Sequence, residues 1–108
     1  MSISNQQSAI NEIDKAIATI GDAHMLCIIH HLSNKEMRFS ELQRAINGLN
    51  PTTLTDRLKR LEKENFVIRK EETLDKVSVV YELTDKGQAM LPVINEIGKF
   101  AGKYLKSV

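Results

Sequence analysis

Residues 37–80 have the sequence MRFSELQRAINGLNPTTLTDRLKRLEKENFVIRKEETLDKVSVV. This stretch opens with Ser40 and Gln43, whose spacing is typical of a capping box at the start of a helix. In a capping box the serine oxygen accepts a hydrogen bond from an unpaired backbone N–H, and the glutamine side chain reaches back to the cap. The spacing therefore predicts a short helix that starts at Glu41 and ends near Ile46.

A tight turn is predicted directly after this helix. Asn47 and Gly48 both tolerate the left-handed backbone that such a turn requires. Asn50 is a strong N-cap, and Pro51 after it has a φ angle that is already helical. A second helix is therefore expected to start at Pro51, which completes a helix-turn-helix over residues 40–64.

The second helix is predicted to have one apolar side and one polar side. Leu54, Leu58 and Leu61 recur at spacings of four and three, which places them on a single stripe. Polar side chains on the other positions are of the kinds that contact phosphates and base edges in DNA. The DNA contacts predicted for the helix-turn-helix are Ser40, Gln43, Thr52, Thr53, Thr55, Asp56, Arg57, Lys59 and Arg60.

A charged β-hairpin is predicted to follow. Asn65 can end the helix with a left-handed backbone, and β-forming residues occupy 66–70 and 77–83. The polar segment 71–76 is the predicted hairpin loop, so residues 66–83 form a wing that reaches DNA backbone or minor groove, although its acidic residues weaken that contact. The predicted DNA contacts of the wing are Arg69, Lys70 and Lys76.

Both flanking segments carry more apolar surface than one small domain needs. An isoleucine stripe predicts an N-terminal helix over residues 8–20 with Gly21 as its C-cap. Thr84 caps a predicted C-terminal helix over residues 85–106, with a short first turn and a kink near Pro92. We interpret the surplus as a homodimer interface, and intramolecular packing is the alternative. The predicted interface residues are Ile10, Ile13, Ile17, Ile94, Ile97, Phe100, Ala101 and Tyr104.

Short motifs spread over nearly the whole chain match one family of regulators. They are Ile20-Gly21-Asp22, RFSELQ at residues 38–43, Asn50-Pro51, Leu54-Thr55, Arg57-Leu58, Leu61-Glu62, and YELT at residues 81–84 with Gly87 behind it. With these motifs the chain resembles the HxlR-type, MarR-like winged helix-turn-helix transcriptional regulators. The resemblance implies a homodimer, joined through its first and last helices, that binds pseudo-palindromic operator DNA. It also allows an apolar or aromatic small-molecule effector in the dimer cleft.

The chain departs from the pattern of this family at two places. Many members carry a Cys-Pro pair upstream of the Gly-Asp step, where this chain has Asn11. The Lys-Trp pair that usually follows Gly-Asp is replaced by Ala23-His24. The oxidant sensing of those members is therefore not implied for this chain.

The segment after Gly21 also suggests an alternative hypothesis, which is a metal site. His24, Cys27 and His31 project from one side of a predicted helix and are ligand types that suit zinc or copper. No fourth ligand is identifiable, and the same helix can simply turn its apolar side to the core and leave the histidines at its margin. We therefore predict no metal and no cofactor, and Cys27 has no basic neighbour in sequence that would activate its thiol.

Positive charge is concentrated where DNA contact is predicted. The chain has 108 residues and a formal net charge of +1. Residues 35–70 hold nine basic and five acidic side chains, whereas the segments before and after them are both slightly acidic. This distribution gives the helix-turn-helix an electrostatic footprint suited to nucleic acid.

These observations predict one winged helix-turn-helix domain over residues 1–108, mainly α-helical with a small antiparallel β-hairpin and with N- and C-terminal dimerisation helices. The predicted function is a sequence-specific transcriptional regulator that binds double-stranded DNA as a homodimer. A winged-helix protein-interaction module without DNA binding is the alternative, which Asp56 and the acidic wing favour. An enzyme is not predicted, because no nucleophile with its base and no phosphate-binding loop occurs.

The expected location is the cytoplasm. No apolar run is long enough to span a bilayer, and the polar N-terminal residues lack the pattern of a signal peptide. A single cysteine cannot form an internal disulfide, which fits a reducing compartment.

Overall fold

The computed structural model describes residues 3–73 and 77–105, with side chains over 11–71 and 78–105. The described part is mainly helical and contains a small antiparallel sheet, which confirms the predicted fold class. Its elements in chain order are α1 (Ile3–Ile20), α2 (Ala23–His31), β1 (Met37–Arg38), α3 (Phe39–Ala45), α4 (Pro51–Lys63), β2 (Val67–Thr73), β3 (Val77–Leu83), α5 (Asp85–Gln88) and α6 (Leu91–Tyr104).

The hydrophobic core lies between α2, α3, α4 and the sheet. Helix α4 supplies Leu54, Leu58 and Leu61, each at most 1% exposed, as the spacing of these leucines predicted. Burial of one such side chain contributes roughly 2 kcal/mol. The buried cluster comprises Met25, Ile28, Ile29, Leu32, Leu42, Ile46, Leu49, Leu54, Leu58, Leu61, Phe66, Val67, Leu83 and Met90.

Local signals define both ends of α4. The side chain of Asn50 accepts a hydrogen bond from the Thr52 N–H at 2.7 Å, and Pro51 is the first helical residue. The helix is followed by Asn65 at φ 65°, and the turn before it contains Gly48 at φ 79°. These features confirm the predicted caps and the predicted turn.

Helix α3 starts two residues earlier than predicted, at Phe39 rather than Glu41. Arg38 is held in an extended conformation because it pairs with β3, and this pairing fixes where the helix can begin. The Arg38 N–H donates to Glu41 Oε1 at 2.9 Å, so Glu41 supplies the return bond that we assigned to Gln43. Ser40 consequently lies in the first turn of α3 and is not its cap.

The sheet has three strands in the order β1-β3-β2, all antiparallel. Strand β2 pairs with β3 from Val67 opposite Leu83 to Thr73 opposite Val77. Residues 71–73 are therefore part of the ladder, and the hairpin loop is shorter than the predicted 71–76. The prediction failed here because the backbone pairing of a twisted ribbon tolerates polar residues that sequence propensity assigns to a loop.

The terminal helices also differ from the predicted bounds. Helix α1 starts at Ile3, before the predicted residue 8. The C-terminal segment forms α5 and α6 instead of one kinked helix over 85–106. The Thr84 hydroxyl accepts a hydrogen bond from the Gly87 N–H at 3.1 Å, which confirms the predicted cap. Gly87 packs so closely that a Cβ there would lie 2.2 Å from the Phe66 carbonyl oxygen, so α5 is held against the residue that precedes β2.

Candidate nucleic-acid interface

One side of α4 carries polar side chains at the surface of the molecule. Its exposed positions flank a shallow concavity lined by the N-terminal half of the helix. An α-helix with one buried stripe and one exposed polar side fits the major groove of DNA, which is about 12 Å wide. We call this set of exposed residues the reading face, and it consists of Thr52, Thr55, Asp56, Lys59 and Arg60.

Three further predicted contacts lie on α3 and α4 but are not part of the reading face. Ser40 is exposed on α3, whereas Gln43 and Thr53 are half-buried. Because they are half-buried, Gln43 and Thr53 have less side-chain surface available for contact with DNA than the exposed residues of the reading face. Ser40 is therefore the most accessible of the three, and the exposed polar positions of the helix-turn-helix lie mainly on α4.

The guanidinium of Arg57 bonds to the N-cap residue of α2 and to one residue of the reading face. Its Nε donates to Asp22 Oδ2 at 3.0 Å, and one terminal nitrogen donates to Asp56 Oδ2 at 2.6 Å. The side chain of Arg57 is only 23% exposed. Its charge is therefore used within the protein, although helical spacing alone placed it among the DNA contacts.

Asp22 is the partner of Arg57 and also the N-cap of α2. Its Oδ1 accepts a hydrogen bond from the Met25 N–H at 3.1 Å. Partial burial opposes ionisation of the carboxyl, but the Met25 hydrogen bond and the nearby charge of Arg57 outweigh it and hold the pKa of Asp22 below its ordinary value. Asp22 is thus an ionised residue that joins two helices.

The two described basic residues of the wing form ion pairs with carboxylates of the same chain. Arg69 donates to Glu71 Oε1 at 3.0 Å, and this bond together with one to Tyr81 raises the arginine pKa. Lys70 pairs with Glu82 and with Glu36. Hydrogen bonds from Lys70 lower the pKa of Glu82, and both carboxylates raise the pKa of Lys70. The third predicted wing contact, Lys76, lies outside the described residues.

The C-terminal end of α4 is anchored by a residue that sequence reasoning missed. Lys86 donates to the Glu64 carbonyl oxygen at 2.7 Å, and its ammonium group lies 4.5 Å from the centroid of the Phe66 ring. A cation near the end of a helix is favoured by the helix dipole. No linear pattern predicts this contact, because Lys86 belongs to α5 and lies 22 residues from Glu64.

The predicted dimer residues lie mostly at the surface. Ile13, Ile17, Ile97, Phe100 and Tyr104 are between 50% and 64% exposed. Ile94 and Ala101 are half-buried, and Ile94 packs against the core. The side chain of Ile10 lies outside the described residues.

The three residues considered as metal ligands in the sequence analysis lie on α2 but do not form a metal site. His24 and Cys27 are exposed and His31 is half-buried. Among the described residues no group of three or more His, Cys, Asp or Glu side chains is placed to hold a metal ion. Nor does any helix of the described part have the length and apolar character to cross a membrane.

A helix-turn-helix with a polar reading face, followed by a two-stranded wing, defines a winged helix-turn-helix DNA-binding protein. Residues 19–108 match the family model described as HxlR-like helix-turn-helix. The chain belongs to the HxlR-like helix-turn-helix family, and it is a DNA-binding transcriptional regulator.

Individual relatives agree with this assignment. The uncharacterised HTH-type transcriptional regulator YvaP of Bacillus subtilis (strain 168) is 35% identical over 101 residues, which covers 94% of each chain. A solved MarR-family regulator from Porphyromonas gingivalis W83 superposes with a TM-score of 0.80 at 32% identity, covering 85% of this chain and 90% of that one. The reduced form of the regulator YodB from B. subtilis gives a TM-score of 0.77 at 31% identity, covering 86% and 91%.

Proposed function

We propose that two copies of the chain bind one pseudo-palindromic operator as a homodimer. Helices α1 and α6 of each protomer form the interface, and the two α4 helices enter successive major grooves about 34 Å apart. The observation that carries this proposal is α1, in which every residue from 11 to 18 is exposed. Helices gain most of their stability from packing of an apolar side, so a helix with Ile13 and Ile17 in solvent calls for a partner surface.

The exposed apolar side chains point to the same interface. In the described part of the chain, large hydrophobic residues that are more than two-fifths exposed lie on α1 or in residues 91–105, with Ile68 as the exception. A monomer rarely leaves such a patch in water. The members are Ile13, Ile17, Val93, Ile97, Phe100, Tyr104 and Leu105.

The reading face supplies the proposed base and phosphate contacts. Thr52 and Thr55 offer methyl groups to thymine, and Asp56 accepts from the cytosine amino group. Lys59 and Arg60 contact phosphates or guanine. Ser40, Gln43 and Thr53 contribute from the side of the same groove.

The wing is proposed to contact the flanking backbone or minor groove through Arg69, Lys70 and Lys76. Arg69 and Lys70 must then exchange a carboxylate for a phosphate. Ion pairs in solvent are weak because water and salt screen them, so this exchange is permitted. The carboxylates left behind reduce the gain, and we expect the wing to contribute less to affinity than α4.

A small-molecule effector is proposed on the basis of an apolar groove between α2 and α6. The groove has a volume of about 370 Å³, and Leu26, Cys27, His30, Ile94 and Ile97 are among its lining residues. This size and lining suit an apolar or aromatic compound. Because α6 also belongs to the proposed interface, a ligand in the groove would change how the two protomers are held.

We propose no catalytic activity and no cofactor for this chain. The relatives above are described as transcriptional regulators, which gives the alternative of an interaction module without DNA binding no support. A cytoplasmic location stays a prediction from the sequence.

Fluorescence anisotropy with the duplex that flanks the protein's own gene tests the proposal. We expect tight binding at low salt. The logarithm of the association constant should fall linearly with the logarithm of the salt concentration, since each neutralised phosphate releases about 0.9 counterion. Light scattering on the same complex should give two protomers per duplex. A one-to-one complex, or an affinity indifferent to salt, would overturn the proposal.

A further inference from the structure

Asp22 uses its two carboxylate oxygens for two different helices. Oδ1 accepts the Met25 N–H and caps α2, while Oδ2 accepts Arg57 Nε from α4, 35 residues away in sequence. Both side chains of the ion pair are 23% exposed, so solvent screens the pair less than it screens a surface ion pair. The ion pair therefore links the start of α2 to the middle of α4.

The same guanidinium also orients one member of the reading face. Arg57 donates to Asp56 at 2.6 Å, and Asp56 is exposed among the proposed base contacts. A guanidinium is planar and presents its donors in a rigid fork, so two carboxylates bound to it have fixed relative directions. Asp22, Arg57 and Asp56 thus form a chain from α2 to the DNA-facing surface.

Helix α2 connects this chain to the proposed dimer interface. It packs against α4 on one side and against α6 on another, and only Gly21 and Asp22 separate it from α1. Asp22 is therefore located between α1, which belongs to the proposed interface, and the reading helix α4. A change in the direction of α4 relative to α2 would move the reading face of each protomer relative to its partner.

We propose that Arg57 is a positioning residue that determines operator discrimination and does not contact DNA. The Asp22–Arg57–Asp56 chain sets the direction of α4 against α2 and aims the Asp56 carboxylate at base edges. This inference rests on the proposed function, in which α4 reads the major groove.

The substitution Asp22→Asn separates the two duties of Asp22. Asparagine is a good N-cap, so its amide oxygen can still accept from Met25. The remaining amide group is a donor and cannot accept from Arg57 Nε. Asp22→Ser is a second variant with the same logic, because serine caps helices but is too short to reach the guanidinium.

The experiment measures the dissociation constants of each variant for a selected operator and for a scrambled duplex of equal length. The preference for the operator is the dissociation constant for the scrambled duplex divided by that for the operator. Asp22→Asn and Asp22→Ser should each reduce this ratio by roughly five- to tenfold, within the range of coupling between neighbouring residues. Binding to the scrambled duplex and the salt slope should not change. Arg57→Ala should show the same loss, and the double variant Asp22→Asn with Arg57→Ala should lose no more than either alone.

Asp85→Asn is the matched control, because it removes the same charge from an exposed aspartate in the first turn of another helix. Its ratio should equal that of the parent. Thermal unfolding shows whether each variant is folded at the assay temperature, and Asp22→Ser serves if Asp22→Asn does not fold.

A direct phosphate contact by Arg57 predicts different results. Arg57→Ala would then weaken both duplexes alike and reduce the salt slope by about 1.8 for the two protomers. Asp22→Asn would release the guanidinium and tighten binding to the scrambled duplex. Either outcome overturns the inference. If instead Arg60→Ala leaves operator binding unchanged, α4 is not the reading helix and the proposed function itself fails.

Discussion

Arg57 and Arg60 are three residues apart on α4, yet their charges act on different partners. Arg57 binds two carboxylates of its own chain. Arg60 is exposed and, within the described part of the chain, makes no ion pair. Position on a helical wheel gives direction only, so the difference arises from what tertiary packing places next to each side chain.

The substitution Arg60→Ala tests the reading face at the level of one residue. Loss of the guanidinium should weaken operator binding by about tenfold, within the usual range for one lost base or phosphate contact. If the contact is to phosphate, the salt slope should also fall by about 1.8 for the dimer. Anisotropy titrations over a range of salt concentrations measure both quantities.

Lys99→Ala is the matched control for this prediction. It removes one positive charge from an exposed lysine of α6, which is not part of the reading face. The affinity of Lys99→Ala should match that of the parent. Equal losses for both variants would mean that only net charge matters and that Arg60 has no specific role.

The charge of Asp22 should also make stability depend on pH in a defined direction. The pKa of Asp22 is depressed in the folded state, so the stabilisation is complete above the ordinary value of about 3.8 and is lost as the pH falls through the lower, folded value. Urea unfolding of the parent and of Asp22→Asn should therefore differ at pH 7, and the difference should shrink as the pH falls below about 4. A gap that widens on acidification would contradict this account of the ion pair.

At the level of elements, the structure depends on close contacts as well as on caps. Gly87 of α5 lies under the Phe66 carbonyl, with a Cβ position only 2.2 Å from the oxygen. Gly87→Ala must displace backbone and should lower the free energy of unfolding by roughly 2 kcal/mol, in the range of overpacked sites. Urea unfolding at fixed protein concentration measures this loss.

Gly102→Ala is the control for Gly87→Ala. A Cβ at Gly102 would meet nothing within 4 Å, and Gly102 lies inside α6. Alanine there should be neutral or should stabilise the helix by about 0.5–1 kcal/mol. Equal destabilisation by both substitutions would show that packing at Phe66 is not the cause.

How far the sequence predicts each element depends on the distance over which its determinants act. Helix α4 was predicted because Asn50, Pro51 and the leucine spacing are all local signals. The start of α3 was missed because Arg38 takes its conformation from pairing with Val80, far along the chain. Strand β1 itself was missed for a related reason, since two residues carry no detectable periodicity.

The candidate site divides in the same way. Periodicity identified the reading face, because exposure on a helix follows from the 3.6-residue repeat. Periodicity could not identify the ion pair between Asp22 and Arg57, because these residues lie 35 positions apart in the sequence. The ion pairs of Arg69 and Lys70 were missed for a different reason, because register decides which carboxylates lie beside each strand residue.

At the level of the whole molecule, dimerisation should depend on the apolar side chains of α1 and α6. Phe100 is 56% exposed, and a charge at this position would be buried unpaired in the proposed interface. Phe100→Glu should therefore give monomers at micromolar concentration and weaken operator binding by at least about 100-fold, since half of the contacts are lost. Light scattering and anisotropy measure the two effects.

Ile68→Glu is the control for association. Ile68 is a large hydrophobic side chain, 44% exposed, that lies on β2 outside the proposed interface. Its substitution should leave the oligomeric state unchanged. Monomers in both variants would place the interface elsewhere or attribute the effect to added negative charge.

Selection of bound duplexes from a random library tests most directly the claim that two α4 helices read one operator. We expect an inverted repeat whose half-sites are centred about 10 base pairs, or about 34 Å, apart. Duplexes bearing one half-site should bind far more weakly than the complete repeat. Recovery of a single unrepeated site, or of no consensus at all, would contradict the account.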